Sequence, residues 1–372
     1  MAKIGKELLA QLTSEGVKGP FLTIMLNTHV AHQDIEKDQL KFKNFAKAAK
    51  ERFCKKYPDQ DWAPFQLKLD ELLNARDFWR QATTSVAIIL TKDESYVHRL
   101  SIRVDDQYYV GDTPYLLAII KNAQFNYKYY VLALNRDSMK LYLMENKQLT
   151  EVVLSDGAPT DIKQALGEEV TGGNLNFRAQ GSNGGRDSVA YHGVSAKDEE
   201  IEIDWVNYYQ VVDSYLKNEF DNPEELPIYL YALPENQTMF KKVAKNPCYH
   251  PDVAVSGSPA QLSLNQIEAG TQKISDALAA KEVADYQKWI ERKYFDQLSD
   301  IRQAAPLGRI GHLFIATSNL IDGYGENPEV EYDWRQVLNT LAHDTIRNNG
   351  DVYVLEQTDA PGEKELVAIL RY

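Results

Sequence analysis

Cysteine is scarce: Cys54 and Cys248 stand far apart and no C-x-x-C pair occurs. That excludes a zinc knuckle or dithiol centre built on such pairs and leaves two ordinary reduced thiols. No stretch approaches the roughly 20 apolar residues that a membrane span needs. The opening MAKIGKELLAQLTSEGVKG also lacks the continuous apolar segment of a secretory leader. A cytoplasmic protein without membrane contact is the expectation. Basic residues are in deficit, 41 against 54 acidic, for a net charge of −13. A protein that coats nucleic acid nonspecifically needs clustered cations, so that class is excluded. G-x-S-x-G is absent and with it the signal for a nucleophile elbow.

The 372 residues, 44% hydrophobic and 26% charged, fit a globular chain of two or three domains. Charge is unevenly spread. Residues 1–124 hold 18 basic and 16 acidic side chains, residues 125–270 hold 12 and 21, and the remainder 11 and 17. Much of the basic charge falls in Glu36 to Lys56, where Lys37, Lys41, Lys43, Lys47, Lys50 and Arg52 accompany Leu40, Phe42, Phe45, Ala49 and Phe53. The apolar residues share one helical face, which predicts a basic amphipathic helix. Its cations are either a solvated face that balances an acidic protein or a contact for ribosomal RNA.

Along the chain, FLTIMLN at Phe21 to Asn27 reads as a strand, Pro64 to Ala75 as a helix, and Ser85 to Leu90 and Tyr96 to Val104 as strands, one α/β unit closing near Lys121. Tyr129 to Leu134, Leu141 to Met144 and Leu149 to Leu154 make a β-meander turned at Asn135-Arg136-Asp137. A helical stretch follows at Asp161 to Leu166. Thr171 to Val194 is glycine-dense and aperiodic, a long loop. Helix then returns over Ile203 to Phe220, with a strand at Pro227 to Leu233, a further helix, and a short strand near Val253. Leu262 to Ile301 has helical composition and holds a domain boundary. Strand, helix, strand and strand at Gly311 to Ala316, Trp334 to Asn348, Asp351 to Leu355 and Glu365 to Tyr372 suggest a small α/β/α sandwich. The expected domains are 1–124, 125–270 and 271–372.

Several constellations do not reach a site. His29 and His32 lack a third metal ligand, and no metal or other cofactor is expected. Asp198, Glu199, Glu200, Glu202 and Asp204 form an acidic run that reads as a solvated stretch leading into a helix rather than a magnesium site. Gly181-Ser182-Asn183-Gly184-Gly185 lacks the Lys-Ser/Thr ending of a phosphate loop. The tyrosine pairs Tyr108-Tyr109, Tyr129-Tyr130 and Tyr208-Tyr209 are accounted for by packing.

Taken together, YYVLALNRDSMKLYLMENKQLTEVVL and NNGDVYVLEQTDAPGEKELVAILRY resemble the start of the middle domain and the end of the C-terminal domain of archaeo-eukaryotic peptide-chain release factors. DQLKFKNFAKAAKE, DFWRQATTSVAIIL and YYVGDTPYLLAII look like the distinct first domain of that superfamily's bacterial branch. The resemblance implies an α/β protein of three domains. The middle one would be RNase-H-like with a long glycine-rich loop, and the last an α/β/α sandwich like a small ribosomal protein. The first domain does not resemble a stop-codon reader.

In the family, a Gly-Gly-Gln tip on the middle-domain loop helps water attack the peptidyl-tRNA ester. The matching tip here is Gly184-Gly185-Arg186. A guanidinium has five donors, no acceptor and a fixed charge, so Arg186 does not replace the glutamine. Two glycines beside a cation suit close backbone approach to phosphate. The resemblance thus implies RNA or ribosome binding through Gly184, Gly185, Arg186, Arg178 and His192, with Lys41, Lys43, Lys47 and Lys50 on the basic helix. His192 is a general base or, more simply, an anchor of the loop stem. The expected role is translation-associated, in ribosome rescue or stress response, with ribosomal or transfer RNA as partner and a protein partner at the C-terminal domain. An enzymatic role is not expected. The rival readings are an adaptor that keeps the fold, and an ester hydrolase whose loop backbone positions water.

Overall fold

The structure, a computed structural model, describes residues 6–14, 16, 18–29, 32–80, 84–167, 193–316 and 328–372. The described residues form a mixed α/β chain with three sheets, and the chain divides into two compact units, one of Tyr127–Ala279 and one of Ala2–Asn126 together with Ala280–Tyr372.

In the two-segment unit, β1 (Phe21–Asn27) is buried on both faces, which is why its sequence is apolar on both alternations apart from the buried Thr23 and the terminal Asn27. It pairs antiparallel with β2 (Ser85–Leu90) and β4 (Gln107–Gly111), and β3 (Ser95–Leu100) extends the sheet beyond β2. Alternation then sorts the side chains. Leu22, Ile24 and Leu26 pack with Phe42 and Phe53 of α2 (His32–Lys56), with Phe65 of α3 (Ala63–Asn74) and with Trp79 of α4 (Arg76–Arg80). Phe21 and Met25 point instead into a core shared with the second segment.

That segment builds its own sheet in the order β10 (Tyr294–Phe295), β13 (Leu366–Leu370), β11 (Ile310–Ala316), β12 (Asp351–Leu355), with β11 and β12 parallel. Leu313, Ile315, Val352 and Val354 join the shared core, where α5 (Leu117–Ala123) and α11 (Pro328–Arg347) also lie. Phe314, Tyr353 and Val367 pack on the opposite face against Tyr286 and Trp289.

A polar spine on α11 holds the segments together. Tyr332, Arg335 and Asn339 lie on one helical face by their spacing. The buried Arg335 guanidinium donates to Asp105 at 2.8 Å and to Gln107 at 2.9 Å. Asn339 accepts from the Leu116 N–H at 2.7 Å and donates to the Pro114 carbonyl at 2.8 Å. The Tyr332 hydroxyl accepts from the Val110 N–H at 3.1 Å and donates to the Val110 carbonyl at 3.2 Å, closing the free edge of β4. The Tyr332 ring stacks on Tyr109, and Tyr109 on Tyr115, with centroids 4.9 and 4.0 Å apart. At the other sheet, the Gln124 side-chain oxygen accepts from the Val354 N–H, on the free edge of β12.

The unit of Tyr127–Ala279 contains the meander β5 (Tyr129–Leu134), β6 (Met139–Glu145) and β7 (Gln148–Glu151), followed by β8 (Ile228–Ala232) and β9 (Tyr249–Ser256). The sheet order is β7-β6-β5-β8-β9, with β5, β8 and β9 parallel. Asn146 and Lys147 turn β6 into β7 with φ of 54° and 59°, the left-handed pair that a two-residue hairpin needs. Ile162 and Leu166 of α6 (Ile162–Leu166), Tyr208, Val212 and Tyr215 of α7 (Gly193–Asn218) and Phe240 of α8 (Pro234–Val243) pack in one core against the sheet. Tyr208 and Tyr209 are wholly buried, consistent with packing rather than base stacking.

Several expectations change. The acidic run at Asp198 to Asp204 lies inside α7, which starts at Gly193 and not Ile203. The stretch Leu262 to Ile301 is not one helix: α9 (Leu264–Lys288) ends, and β10 and α10 (Leu298–Ala304) follow, because Tyr294 and Phe295 pair with β13. β3 stops at Leu100, four residues before the expected end, since Asn122 captures the Ser101 N–H at 2.8 Å and Asn27 that of Val104 at 3.1 Å. No helix among the described residues is long and apolar enough to cross a membrane.

Arg335→Ala leaves the Asp105 carboxylate buried without this partner and is expected to cost about 3–5 kcal/mol in chemical denaturation. In the other unit, a Cβ on Gly270 meets the buried Tyr231 ring at 2.7 Å. Gly270→Val is expected to lower stability by about 1–3 kcal/mol in the same assay.

Candidate nucleic-acid interface

The basic helix expected at Glu36 to Lys56 is α2, and its register sorts its cations. Phe42, Ala49 and Phe53 face the sheet, and one flank beside that stripe looks to solvent. Lys43, Lys47 and Lys50 are exposed and, among the described residues, form no ion pair. Their spacing of four and three residues sets them in a row about 10 Å long. Leu40, on the same side, is 59% exposed.

Lys41, Arg52 and Lys37 of α2 have partners within the unit. Lys41 pairs with Asp106, and Asp106 also accepts from the Asn27 backbone N–H at 2.7 Å. Arg52 lies 3.9 Å from the Tyr332 ring centroid, on the polar spine. Lys37 donates to Asp34 at 2.8 Å, and that bond raises the lysine pKa and lowers the carboxyl's. Of the four helix lysines expected to contact RNA, three therefore present free charge and Lys41 is spent inside the unit.

Asp106 is a partner that sequence reasoning missed. It is 65 residues from Lys41, and no local pattern links them. His29 likewise finds a partner: the buried Asp38 carboxylate accepts from its backbone N–H and lies 2.9 Å from its Nδ1. Since a carboxylate only accepts, Nδ1 carries the proton. No group of three or more His, Cys, Asp or Glu side chains suited to a metal occurs among the described residues. Gly184, Gly185, Arg186, Arg178 and His192 lie outside the described residues, as does most of the loop expected at Thr171 to Val194.

The fold and the lysine row define a mixed α/β protein of several sheets carrying one cationic helix on an acidic chain. Residues 127–277 match the family described as bacterial archaeo-eukaryotic release factor family 6, nearly the bounds of the Tyr127–Ala279 unit. This segment belongs to the bacterial branch of the archaeo-eukaryotic release factor superfamily, as the resemblance implied. No curated protein matches the chain in sequence.

Among solved structures, the chain is similar to Archaeoglobus fulgidus Pelota at 14% identity and a TM-score of 0.35, over 77% of this chain and 79% of that one. It is similar to S. cerevisiae Dom34, a translation termination-like factor, at 12% identity and a TM-score of 0.36, over 78% and 74%. The archaeal translation termination factor aRF1 aligns at 14% identity and a TM-score of 0.23, over 99% of both chains. Likeness at these TM-scores says nothing of activity.

Exposed and unpaired side chains contribute little to stability. Replacing Lys43, Lys47 and Lys50 together by alanine is expected to change unfolding free energy by no more than about 0.5 kcal/mol. Lys41→Met is expected to cost about 1 kcal/mol, because Asp106 loses its cation. Urea titrations of the two variants check this.

Proposed function

We propose that the protein is translation-associated and binds the ribosome or its RNA in the cytoplasm, in rescue of stalled complexes or in a stress response. The family match over residues 127–277 carries this reading. The row of Lys43, Lys47 and Lys50 supports it, since three unpaired cations along one helix face suit a phosphate backbone. On an acidic chain they also limit binding to a patch.

The finer assignments belong to the same proposal. The Tyr127–Ala279 unit is RNase-H-like; a three-strand meander continued by two parallel strands supports this. Residues 1–124 and 271–372 are two domains that pack together as the two segments of one compact unit, with 125–270 as the third, and 271–372 is a ribosomal-protein-like α/β/α sandwich offering a surface to a protein partner. The tip Gly184-Gly185-Arg186, with Arg178 and His192, is a second RNA contact beside the lysine row.

Cosedimentation with bacterial ribosomes, empty or carrying peptidyl-tRNA, across a salt series tests the proposal. The expected result is saturable, salt-sensitive binding. Alanine at Lys43, Lys47 and Lys50 is expected to flatten the slope of log affinity against log salt by about 2, as for loss of three phosphate contacts. Alanine at 184–186 is expected to weaken binding separately. Absence of binding to either ribosomal state overturns the proposal and leaves an adaptor role.

A further inference from the structure

We infer that the Asp156–Gly157 bond is a site of spontaneous covalent modification, where the aspartate isomerises to isoaspartate in the folded protein. The pair turns the chain between β7 and α6. The Ala158 N–H donates to the Ser155 carbonyl at 2.9 Å, so Asp156 and Gly157 are the central residues of a β-turn. The site is independent of the lysine row and of any ribosomal role.

The reaction needs neither enzyme nor co-reactant. The Gly157 nitrogen gives up its proton and attacks the Asp156 Cγ; the N–Cγ bond forms, a Cγ–O bond breaks and water leaves, closing a cyclic imide. Water then reopens the ring. Attack at Cγ restores aspartate. Attack at the former main-chain carbonyl leaves the chain running through Cβ and Cγ, one carbon longer and unchanged in mass.

The turn leaves both reacting groups open. Asp156 and Gly157 are exposed, and among the described residues neither the carboxylate nor the Gly157 N–H is hydrogen-bonded. Beyond its chain neighbours, no atom lies within 4 Å of the place that a Gly157 Cβ would take.

Asn349–Gly350 is the contrast within the same molecule. In a free peptide, asparagine before glycine closes the same ring more readily, losing ammonia, and Asn349 is exposed. Here, however, the Gly350 N–H donates to the Thr345 carbonyl at 2.8 Å. Atoms of Thr345 and Ile310 also stand within 3.0 Å of where a Gly350 Cβ would lie. The proton is held and the nitrogen is walled in, so reaction there waits for local opening. The fold protects the intrinsically faster pair and presents the slower one.

Both flanks of the reactive turn are tied to α7. The Ser155 Oγ lies 3.0 Å from the Tyr215 hydroxyl, and the Tyr208 hydroxyl donates to the Pro159 carbonyl at 2.9 Å. An extra main-chain carbon between Ser155 and Pro159 puts the two ties out of register, so isomerisation loosens the hold on α7.

The test incubates the full chain at neutral pH, folded and in urea, and follows tryptic peptides by chromatography and electron-transfer fragmentation, which distinguish isoaspartate from aspartate. Isoaspartate at 156 is expected to accumulate at comparable rates in the two samples. Deamidation of Asn349 is expected to be at least about tenfold slower in the folded chain than in urea. Asp156→Glu keeps the charge but lengthens the side chain past the ring, and is expected to form no isomer. After equal incubation the native chain is expected to melt below this variant. Isoaspartate at 156 confined to the urea sample, equal deamidation of Asn349 in both samples, or equal Tm of the incubated native and Asp156→Glu chains overturns the inference. The folded and urea comparison needs no variant.

Discussion

The buried pair of Arg335 and Asp105 is the constraint on which the two-segment unit depends. Taken alone, such a pair need add nothing to stability, because removing two charges from water offsets their attraction. The drive to associate comes from the apolar core that the segments share. Nondirectional burial does not choose a register, however. Arg335, Asn339 and Tyr332 each satisfy a particular group in the 105–116 stretch, and a shift of α11 by one turn would leave buried polar atoms unmet at all three positions. Hydrophobic area supplies the energy and the polar spine supplies the address.

What could be read from the sequence follows from the range of the interactions. β1, β2, β5 and β12 stand at their expected bounds because continuous apolar runs between turn residues depend on local pattern alone. β4 escaped notice, since Gln107 and Tyr109 are buried by partners more than two hundred residues away, and Tyr109 looked merely like half of a tyrosine pair. α5 escaped for the opposite reason. LAIIKNA has a helix buried on most sides, so the run Leu117 to Ile120 shows neither period. β10 is two residues long and exists only because β13 offers an edge.

The cationic helix was legible as a helix with a polar face, and less so in its distribution of charge. Periodicity assigns Lys41 and Arg52 to the flank of the apolar stripe, but cannot say that Asp106 and Tyr332 await them there. Lys41 and Arg52 lie on the flank that meets Asp106 and Tyr332, and Lys43 and Lys50 on the opposite flank, where they remain for a partner. The family match covers the Tyr127–Ala279 unit, while the lysine row lies in the other unit. The two observations behind the proposed role are therefore physically separate.

In the two-segment unit, each segment covers the exposed sheet edge of the other: Tyr332 at β4 and Gln124 at β12. This has a consequence for vectorial synthesis. Residues up to Asn126 leave the ribosome with β4 uncovered and one of their two cores incomplete, and they must wait while the whole Tyr127–Ala279 unit is made. During that interval the open strand is a template for pairing with other chains. The intervening unit, continuous in sequence, can close at once, and its folding brings the distant segments nearer by shortening the effective loop between them.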